Sequence, residues 1–383
     1  MFVTQLRAGY WRSWPALALD SAAQWNIFSG NNGAGKTAIL ESLWALHRQR
    51  SLRGQKLRTI RSAFCSTHDS CFTRVHFAPD ARAYDSATTA ALSIDDDGST
   101  QARLADSVVS KAQLSRAVPM VAIQPLDTEL ILGASDHRRE SVHRIAFSLM
   151  PDFLTTLRMY EHALLQRNSL LRDTNLHGRE LYRALAAWDE TFCTQAANLQ
   201  AAILKAFSQI CTHSAGLLTQ FMDGRSVSLV DVENRDMAEV QGDPTQPVFW
   251  ENLVPKWIEK DRRKGYTSVG PHRWDWEARL EGISAKQGAS YGQVRAITLA
   301  LRLAAADIMA LALSEPPLIL LDDLNSELDI SRRRMLLQGI AERGYQSWIT
   351  TTEADQVPVP AGLVATNWLV ADQSLKRQTQ GNA

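Results

Sequence analysis

The hydrophobic pattern at the two ends of the chain is that of strands alternating with helices. Segments with the alternation or the apolar composition of β-strands lie at residues 2–7, 16–20, 25–28, 72–77 and 89–94. The D-D-D-G turn signal at 95–98 predicts that residues 89–104 form a hairpin. A broad apolar face over residues 38–47 predicts a helix soon after the third of these strands. Further along, helix patterns at 296–313 and 330–343 alternate with strand patterns at 317–321 and 346–350. This alternation predicts an α/β fold.

The middle of the chain is helical instead. Apolar residues recur at steps of three and four, which predicts one helix around 157–171 and a second of about 30 residues over 181–207. Residues 223–250 contain glycine and proline and are expected to form a loop-rich return. A short helix is expected at 253–261, and the polar segment 375–383 is expected to fray.

This change of pattern predicts two domains. We expect residues 1–150 and 265–383 to form one discontinuous α/β domain with mixed sheets. Residues 151–264 would form a helical lobe inserted into that domain.

Charge and composition narrow the classes of protein that fit. Lys plus Arg and Asp plus Glu both number 41, so the net charge is zero and any nucleic-acid contact would depend on local basic patches. The four cysteines form no CxxC pair, which favours reduced thiols over a zinc site. The chain begins without a signal-peptide pattern, and Arg302 and Asp307 interrupt its most apolar stretch. We therefore expect a cytoplasmic protein with no membrane span.

A phosphate-binding loop is the most specific motif in the chain. It fits G-x-x-x-x-G-K-[ST] and consists of Gly30, Asn31, Asn32, Gly33, Ala34, Gly35, Lys36 and Thr37. The glycines allow backbone N–H groups to surround a phosphate at a helix N-terminus. We expect Lys36 to reach the β- and γ-phosphates of ATP and the Thr37 hydroxyl to hold Mg²⁺. The motif therefore predicts a P-loop NTPase.

Two carboxylates follow an apolar strand pattern near the other end of the chain. The segment 318–321 leads directly into Asp322 and Asp323. Buried strands rarely end in paired acids unless a cation lies near. We expect Asp322 to orient the water shell of Mg²⁺ and Asp323 to act as the catalytic carboxylate that polarises the attacking water.

A second anion site is predicted at Ser290, Gly292 and Gln293, before the apolar helix. Taken alone, this S-x-G-Q tetrapeptide favours ordinary helix capping. Its position ahead of an apolar helix and the paired acids favours a site for the nucleotide of another copy, because residues 30–37 already hold one. The chain is therefore expected to dimerise when it binds ATP.

The order of these motifs resembles that of ATPase heads of the ABC/SMC type, in which an S-E-L-D element such as 326–329 follows the paired acids. Finer matches resemble the RecF family and span most of residues 2–372. They lie at 11–14 (W-R-S-W), 125–139, 165–168 (L-Q-R-N), 267–273 (T-S-V-G-P-H-R) and 350–352 (T-T-T).

The resemblance implies roles that the local motifs do not assign. Arg12 would approach the nucleotide base, and Asp329 would lie across the dimer seam with Ser326. Gln124 would be a metal-sensing residue, although a glutamine at the edge of the core fits its loose motif equally well. It also implies a function in recombinational repair. The ATP-bridged dimer would bind double-stranded DNA at gaps, assist RecA loading with RecR and RecO as partners, and be reset by weak, DNA-stimulated ATP hydrolysis.

One segment departs from the family pattern, and one basic stretch is a candidate DNA surface. Residues 141–143 read S-V-H where the family usually has F-L-D, so His143 stands where a carboxylate is expected. A basic stretch after the first helix is a candidate DNA surface, although an ordinary solvated loop would have the same composition: Arg48, Arg50, Arg53, Lys56, Arg58 and Arg61. Two further basic runs lie at 260–264 and 332–334.

The motifs also allow three other classes of protein to be considered. The ATPase subunit of a membrane transporter would have a short spacing between the two motifs, whereas Thr37 and Ser290 lie 253 positions apart. A condensin-type SMC protein would need hundreds of heptad residues between its lobes. A scaffold with ATP as a structural ligand is disfavoured by the paired Asp322 and Asp323, and a turnover assay would decide it.

Overall fold

The computed structural model describes the chain at residues 2–20, 23–61, 65, 70–78, 88–232, 240–324 and 329–378. Contacts divide the chain into two compact units. Unit 1 contains residues 1–127 and 295–383, and unit 2 contains residues 128–294. These boundaries differ from the predicted ones after residues 150 and 264. The assignment of an ATPase head and an inserted lobe to particular residues stays a prediction.

A mixed sheet forms the centre of unit 1. Its strands are β3 (Trp25–Ser29), β8 (Met120–Ile123), β12 (Leu318–Leu321), β13 (Ser347–Thr351), β14 (Ala365–Ala371) and β15 (Ser374–Gln378). Their order is β15-β14-β3-β13-β12-β8, with β15 antiparallel at one edge and the other pairs parallel. Every residue of β3, β8, β12 and β13 is buried, as expected for parallel strands covered on both faces.

The second sheet of unit 1 is antiparallel throughout. Its strands are β1 (Phe2–Trp11), β2 (Trp14–Asp20), β4 (Cys71–Ala78), β5 (Thr88–Ile94), β6 (Thr100–Leu104) and β7 (Ser107–Val109). They pair in the order β2-β1-β4-β5-β6-β7. The hairpin predicted at 89–104 is confirmed as β5 and β6, and the Gly98 N–H closes its turn on the Asp95 carbonyl at 2.9 Å.

Helices and one glutamine join the two sheets. The helices of unit 1 are α1 (Lys36–Arg48), α2 (Lys111–Ala117), α10 (Ile330–Glu342) and, from residue 295, α9 (Tyr291–Leu313). Apolar residues of α1 share one core with both sheets. The buried Gln346 amide accepts from the Val3 N–H at 2.7 Å and donates to the Val3 carbonyl at 2.9 Å, so it pairs with β1 as a strand backbone would.

Helix α9 is the one described helix that is long and apolar enough to cross a membrane. In its most apolar window 61% of the residues are buried within the protein, and Ile297, Leu299 and Leu303 are fully enclosed. The helix thus packs as the core helix that the sequence predicts.

Unit 2 is mainly helical. Its helices are α3 (Glu129–Leu132), α4 (Ser135–Leu149), α5 (Phe153–Arg172), α6 (Gly178–Phe221), α7 (Pro247–Lys264), α8 (Ala285–Gly288) and the first turn of α9. A small antiparallel sheet has the order β11-β10-β9, with β9 (Val227–Asp231), β10 (Trp276–Leu280) and β11 (Ile283–Ser284). Helix α6 has 44 residues and extends for about 66 Å.

The predicted pair of helices in the middle of the chain is confirmed as α5 and α6. Three other predictions were wrong: the length of the second helix, the loop at 223–250 and the fraying of 375–378. The long helix exceeds its predicted length because its apolar stripe continues to Phe221. The return at 223–250 is not only loop: β9 hydrogen-bonds to β10, and α7 begins at Pro247, where the missing N–H needs no partner. Residues 375–378 are not frayed, because they pair with β14 as part of β15.

A buried arginine connects three helices of unit 2. The side chain of Arg167 on α5 is fully enclosed. Its guanidinium donates to Asp261 of α7 at 2.9 Å, to Asp189 of α6 at 3.0 Å and to the Thr267 hydroxyl at 2.7 Å. The Asp261 side chain is equally enclosed, so Arg167 is what compensates its charge.

Replacing Arg167 with Ala should therefore lower the free energy of unfolding by about 3–5 kcal/mol, because it leaves Asp261 buried without its cation. Urea denaturation followed by circular dichroism measures the loss. Arg179→Ala, at an exposed position in the first turn of α6, should change the free energy by less than about 0.5 kcal/mol. A loss below about 1 kcal/mol for Arg167→Ala would contradict the role given to this side chain.

Candidate functional site

Four parallel strands bring residues from distant parts of the sequence to one edge of the mixed sheet. Strand β3 ends directly before the loop 30–37, and β12 ends directly before Asp322 and Asp323. Strand β13, which contains Thr350, lies between them, and β8 leads into Gln124 beside β12. Parallel strands direct their carboxyl ends to the same edge, where ligands of such sheets bind.

The glycine-rich loop lies so close to its neighbours that two positions require glycine. Gly30 has a φ of 149°, and a Cβ there would lie 2.3 Å from the carbonyl oxygen of Val370. Gly35 has a φ of 95°, and its Cβ would lie 2.6 Å from Nε1 of Trp14. The same indole N–H donates to the Gly35 carbonyl at 3.0 Å, so Trp14 fixes the point where the loop becomes α1.

The Lys36 ammonium group is folded back on the loop. Its Nζ donates to the carbonyls of Gly30 at 2.6 Å and Asn31 at 2.9 Å. Burial lowers the pKa of Lys36, and the charges of Asp323 and Asp322 oppose that change. The amine thus interacts electrostatically with both carboxylates from within a glycine-rich loop, the kind of loop that surrounds phosphates.

Asp322 connects the loop to the strands. Its Oδ1 accepts hydrogen bonds from the hydroxyls of Thr37 and Thr350, each at 2.8 Å. Burial raises the pKa of Asp322, the two hydroxyl groups lower it, and Asp323 and Glu41 raise it further. A nearby cation favours the ionised form of such a carboxylate. The Thr37 and Asp322 oxygens are the hard donors that Mg²⁺ prefers.

Asp323 has an unusual backbone conformation beside this cluster. Its φ is 52°, in the left-handed region that residues other than glycine rarely occupy. The Asp323 N–H donates to the Thr350 hydroxyl at 2.8 Å, and the same hydroxyl donates to Asp322. Thr350 therefore positions both acids.

Arg12 lies beside the helix that follows the loop. Its guanidinium donates to the two carboxylate oxygens of Glu41 at 2.7 and 3.1 Å, and Glu41 is one turn after Thr37 on α1. Arg12 also donates to the Gln55 side chain at 3.2 Å. These bonds place Arg12 near the loop, and contact with a nucleotide base stays a prediction.

Gln124 is occupied by protein contacts. Its side-chain amide donates to the Leu52 carbonyl at 3.2 Å, and its N–H donates to Asp127 at 2.9 Å. Within the described ranges, the side chain makes no hydrogen bond to Thr37 or Asp322. The expected metal-sensing role therefore stays a prediction.

The S-x-G-Q tetrapeptide caps helix α9. The Gln293 N–H donates to the Ser290 hydroxyl at 3.3 Å, and the Ser290 N–H donates to the Gln293 side chain at 2.8 Å. This reciprocal pair is a capping box, the arrangement that the tetrapeptide alone favours. Binding of an anion by Ser290, Gly292 and Gln293 stays a prediction.

Of the S-E-L-D element, Asp329 is the residue that the structure describes. Ser326, and Asn325 before it, where the RecF family usually has an apolar residue, fall in the segment 325–328, outside the described residues. Asp329 caps α10: its Oδ1 accepts from the Arg332 N–H at 2.9 Å, and its Oδ2 pairs with the Arg332 guanidinium at 3.0 Å. Its position across a dimer seam stays a prediction.

The departure at His143 removes a charge from unit 2. The His143 ring packs edge-on against Phe153, and burial together with the charge of Arg139 lowers the pKa of His143 to about 4. The side chain is neutral near pH 7, so it does not replace a carboxylate electrostatically. Arg138, on the same helix, donates to both oxygens of Asp275 at 2.7 and 2.8 Å. This pair joins the motif segment 125–139 to a residue two positions after the segment 267–273.

The basic stretch after α1 is largely exposed. Arg48 and Arg61 are the exceptions, since both are half-buried, and Arg61 pairs with Asp96 of the β5–β6 turn. An isolated bridge between Arg50 and Lys56 closes the segment into a compact loop. Four cations of this loop are exposed and have no carboxylate partner in the part of the chain that the structure describes: Arg50, Arg53, Lys56 and Arg58.

Local motifs do not reveal three residues that shape the site. The sequence indicates Thr350 only through the T-T-T resemblance, and Trp14 only as part of W-R-S-W. Glu41 was not identified, although a carboxylate on the apolar face of a helix is a signal for a buried partner, here Arg12. Its pairing with Arg12 depends on strand β1, which no local pattern around α1 could indicate.

Sequence comparison places the chain among known proteins. The model of the RecF/RecN/SMC N terminal domain matches residues 2–367. The DNA replication and repair protein RecF of Myxococcus xanthus is 30% identical over 355 residues, which cover 90% of this chain and 89% of that protein. The protein of the same name from Thioalkalivibrio sulfidiphilus is 29% identical over 341 residues and 89% of each chain.

Structural comparison agrees in fold. A structure described as the recombination mediator protein RecF-ATPrS in the RecFOR pathway has a TM-score of 0.84 at 21% identity and covers 99% of this chain and 98% of that one. A crystal structure of an Smc head bound to a domain of ScpA reaches 0.53 at 13% identity, with coverage of 99% and 98%. The predicted fold class, an ATPase head of the ABC/SMC type with mixed sheets, is confirmed. The chain belongs to the RecF family.

Proposed function

We propose that unit 1 binds ATP and Mg²⁺ at the edge of the mixed sheet. The supporting observation is the 2.8 Å contact between the Thr37 hydroxyl and Asp322, which lie 285 positions apart in the chain. Thr37 would hold the cation directly and Asp322 through its water shell, as in P-loop NTPases. Lys36 would exchange its two carbonyl partners in the loop for the phosphates.

Asp323 would act as the base for hydrolysis. Its carboxylate follows Asp322, and its backbone is fixed on Thr350 in the left-handed region. Sparsely populated backbone conformations cluster at functional sites, where they position reacting groups. In this role Asp323 would accept a proton from the water that attacks the terminal phosphate.

Two copies of the chain would share each nucleotide. The capping box at Ser290 and Gln293 lies at the start of a 23-residue helix, and such a terminus attracts anions. The ATP held by residues 30–37 of one copy would meet Ser290, Gly292 and Asp329 of the other. ATP would then select the dimer, and hydrolysis would remove that bias.

The resulting protein would be a RecF-like factor of recombinational repair in the cytoplasm. The ATP-bound dimer would bind double-stranded DNA at gaps and assist RecA loading together with RecR and RecO. Slow, DNA-stimulated hydrolysis would reset it. The proposal is supported by curated relatives named DNA replication and repair protein RecF and by exposed cations on the loop 50–58.

Replacing Lys36 with Ala should abolish ATP-dependent dimerisation. The change removes two charge-assisted contacts to phosphate, and we expect the affinity for ATP to fall at least about 100-fold. Light scattering with and without ATP and Mg²⁺ reads the dimer fraction. Lys205→Ala, an exposed lysine on α6, is the matched control. An undiminished dimer fraction in Lys36→Ala would refute the assignment of the loop.

Replacing Asp323 with Asn should keep ATP binding but slow hydrolysis about 10²–10⁴-fold, because asparagine cannot take the proton yet tolerates the left-handed backbone. Phosphate release and light scattering on the same samples should show a dimer that persists after ATP is added. Asp106→Asn, in the exposed β6–β7 turn, should behave as wild type. Normal turnover in Asp323→Asn would exclude Asp323 as the base.

Reversing the charges of Arg53 and Lys56 to Glu should weaken binding to duplex DNA. If each side chain neutralises one phosphate, the slope of log K against log salt should become shallower by about 1.8. Fluorescence anisotropy over a salt series measures it. The double variant Lys205→Glu with Arg225→Glu changes the net charge equally at exposed positions of unit 2. Identical slopes for both double variants would show that the loop 50–58 does not contact DNA.

A further inference from the structure

A second basic surface lies in unit 2, around the end of α7. It consists of Arg172, Lys264, Tyr266 and Arg273, and we call it the α7-end patch. All four side chains are exposed. The three cations have no carboxylate partner in the residue ranges that the structure describes. The patch therefore presents positive charge that the protein itself does not neutralise.

An aromatic ring lies at the centre of this patch. Tyr266 is 40% exposed, the Nζ atom of Lys264 lies 5.6 Å from the centre of its ring, and Cζ of Arg273 lies 5.3 Å away. The side chain of Arg172 packs on the neighbouring Gly265, where a Cβ would lie 3.1 Å from its Cγ. An exposed ring beside several cations combines a stacking surface with phosphate contacts.

The neighbouring Arg262 has a different function, although it belongs to the same basic run. Its guanidinium donates to the carbonyls of Leu171 at 2.8 Å, Leu176 at 2.9 Å and Leu170 at 3.3 Å. These groups belong to the end of α5 and the turn that follows it. Arg262 thus caps α5 and fixes it to α7, and it is not available to a ligand.

The backbone of the patch is fixed by buried groups. Helix α7 ends at Lys264 and is capped by Gly265, whose φ is 71° and whose N–H donates to the Asp261 carbonyl at 2.8 Å. The Thr267 N–H donates to the Asn168 side chain at 2.7 Å, and the Ser268 N–H donates to the Asp261 carboxylate at 2.9 Å. Because Tyr266 is held between these anchored residues, a ligand would bind it at little cost in backbone entropy.

Two acids, Glu259 and Asp261, lie in the last two turns of α7, and both have partners outside the patch. Asp261 is buried and paired with Arg167. Glu259 accepts a hydrogen bond from Tyr182. Each of these acids is thus engaged by a group other than the cations of the patch.

We propose that the α7-end patch binds single-stranded DNA. Tyr266 would stack on one base, and Lys264, Arg273 and Arg172 would contact the adjacent phosphates. A duplex would leave the ring unused, because its bases are already stacked on each other. The inference rests on the proposed function in DNA binding and adds to it a surface for the strand that a gap exposes.

The ring is tested with two substitutions of Tyr266 and a fluorescent 15-nucleotide oligo(dT). Tyr266→Leu should weaken binding about tenfold, because it removes the stacking surface, and Tyr266→Phe should stay within about twofold of wild type, because it keeps that surface. Affinity for a 15-base-pair duplex should be the same for all three proteins. Equal binding of oligo(dT) by Tyr266→Leu and Tyr266→Phe would overturn the stacking role.

The cations are tested in the same assay over a salt series. Lys264→Glu with Arg273→Glu should make the salt dependence of oligo(dT) binding shallower by about 1.4, the value for two phosphates on a single strand. Lys205→Glu with Arg225→Glu is again the matched control. Lys205 lies about 24 Å along α6 from Asp189, the residue of this helix that bonds to the buried Arg167. An unchanged slope in the patch variant would overturn the proposal.

The two proposals fail in distinguishable ways. If the wild-type protein binds duplex DNA in an ATP-dependent manner while the patch variants bind oligo(dT) normally, the patch assignment is wrong and the proposed function stands. If the wild-type protein binds neither duplex nor oligo(dT), with or without ATP, both proposals are wrong.

Discussion

The candidate site at the edge of the mixed sheet is organised around one buried carboxylate. Asp322 lies at the end of a strand that is covered on both faces, so its charge has to be compensated by donors nearby. The Thr37 and Thr350 hydroxyls supply two of them, and they come from α1 and β13. The sheet order places β13 between β3 and β12, and this order is what allows both hydroxyls to reach one oxygen. The site therefore depends on correct pairing of strands that are hundreds of residues apart.

A similar constraint acts in unit 2. Asp261 is fully enclosed and depends on Arg167, which also bonds to Asp189 and Thr267. One guanidinium thus holds α5, α6 and α7 together. The segment after α7 is fixed by the same groups, since Thr267 bonds to Arg167 and the Ser268 N–H to Asp261. Buried ion pairs contribute little net stability compared with apolar packing, but they penalise any arrangement that separates the partners. Arg167 therefore specifies how these three helices pack more than it adds to their stability.

The sequence predicted the parts of the molecule in which a local pattern reflects a local cause. The strands around the loop 30–37, helix α1 and the α5–α6 pair follow from periodicity, because one face of each is buried. Strand β9 and the pairing of β15 were missed, since their partners β10 and β14 supply hydrogen bonds that no window of sequence contains. The same reason applies in the site: the acids after β12 are visible as a motif, whereas the Arg12–Glu41 pair arises only when β1 packs beside α1.

The capping box of α9 explains why a shared site would respond to ATP. In a single copy, Ser290 and Gln293 satisfy each other, so the helix start is stable without any ligand. A neutral hydrogen bond of this kind contributes only about 0.5–1.5 kcal/mol. Contacts to a charged phosphate are roughly twice as strong, so a triphosphate from a second copy can replace the internal pair. A carboxylate or a neutral loop from another subunit offers fewer acceptors at that position. The proposed dimer would therefore form with the nucleotide and not before it.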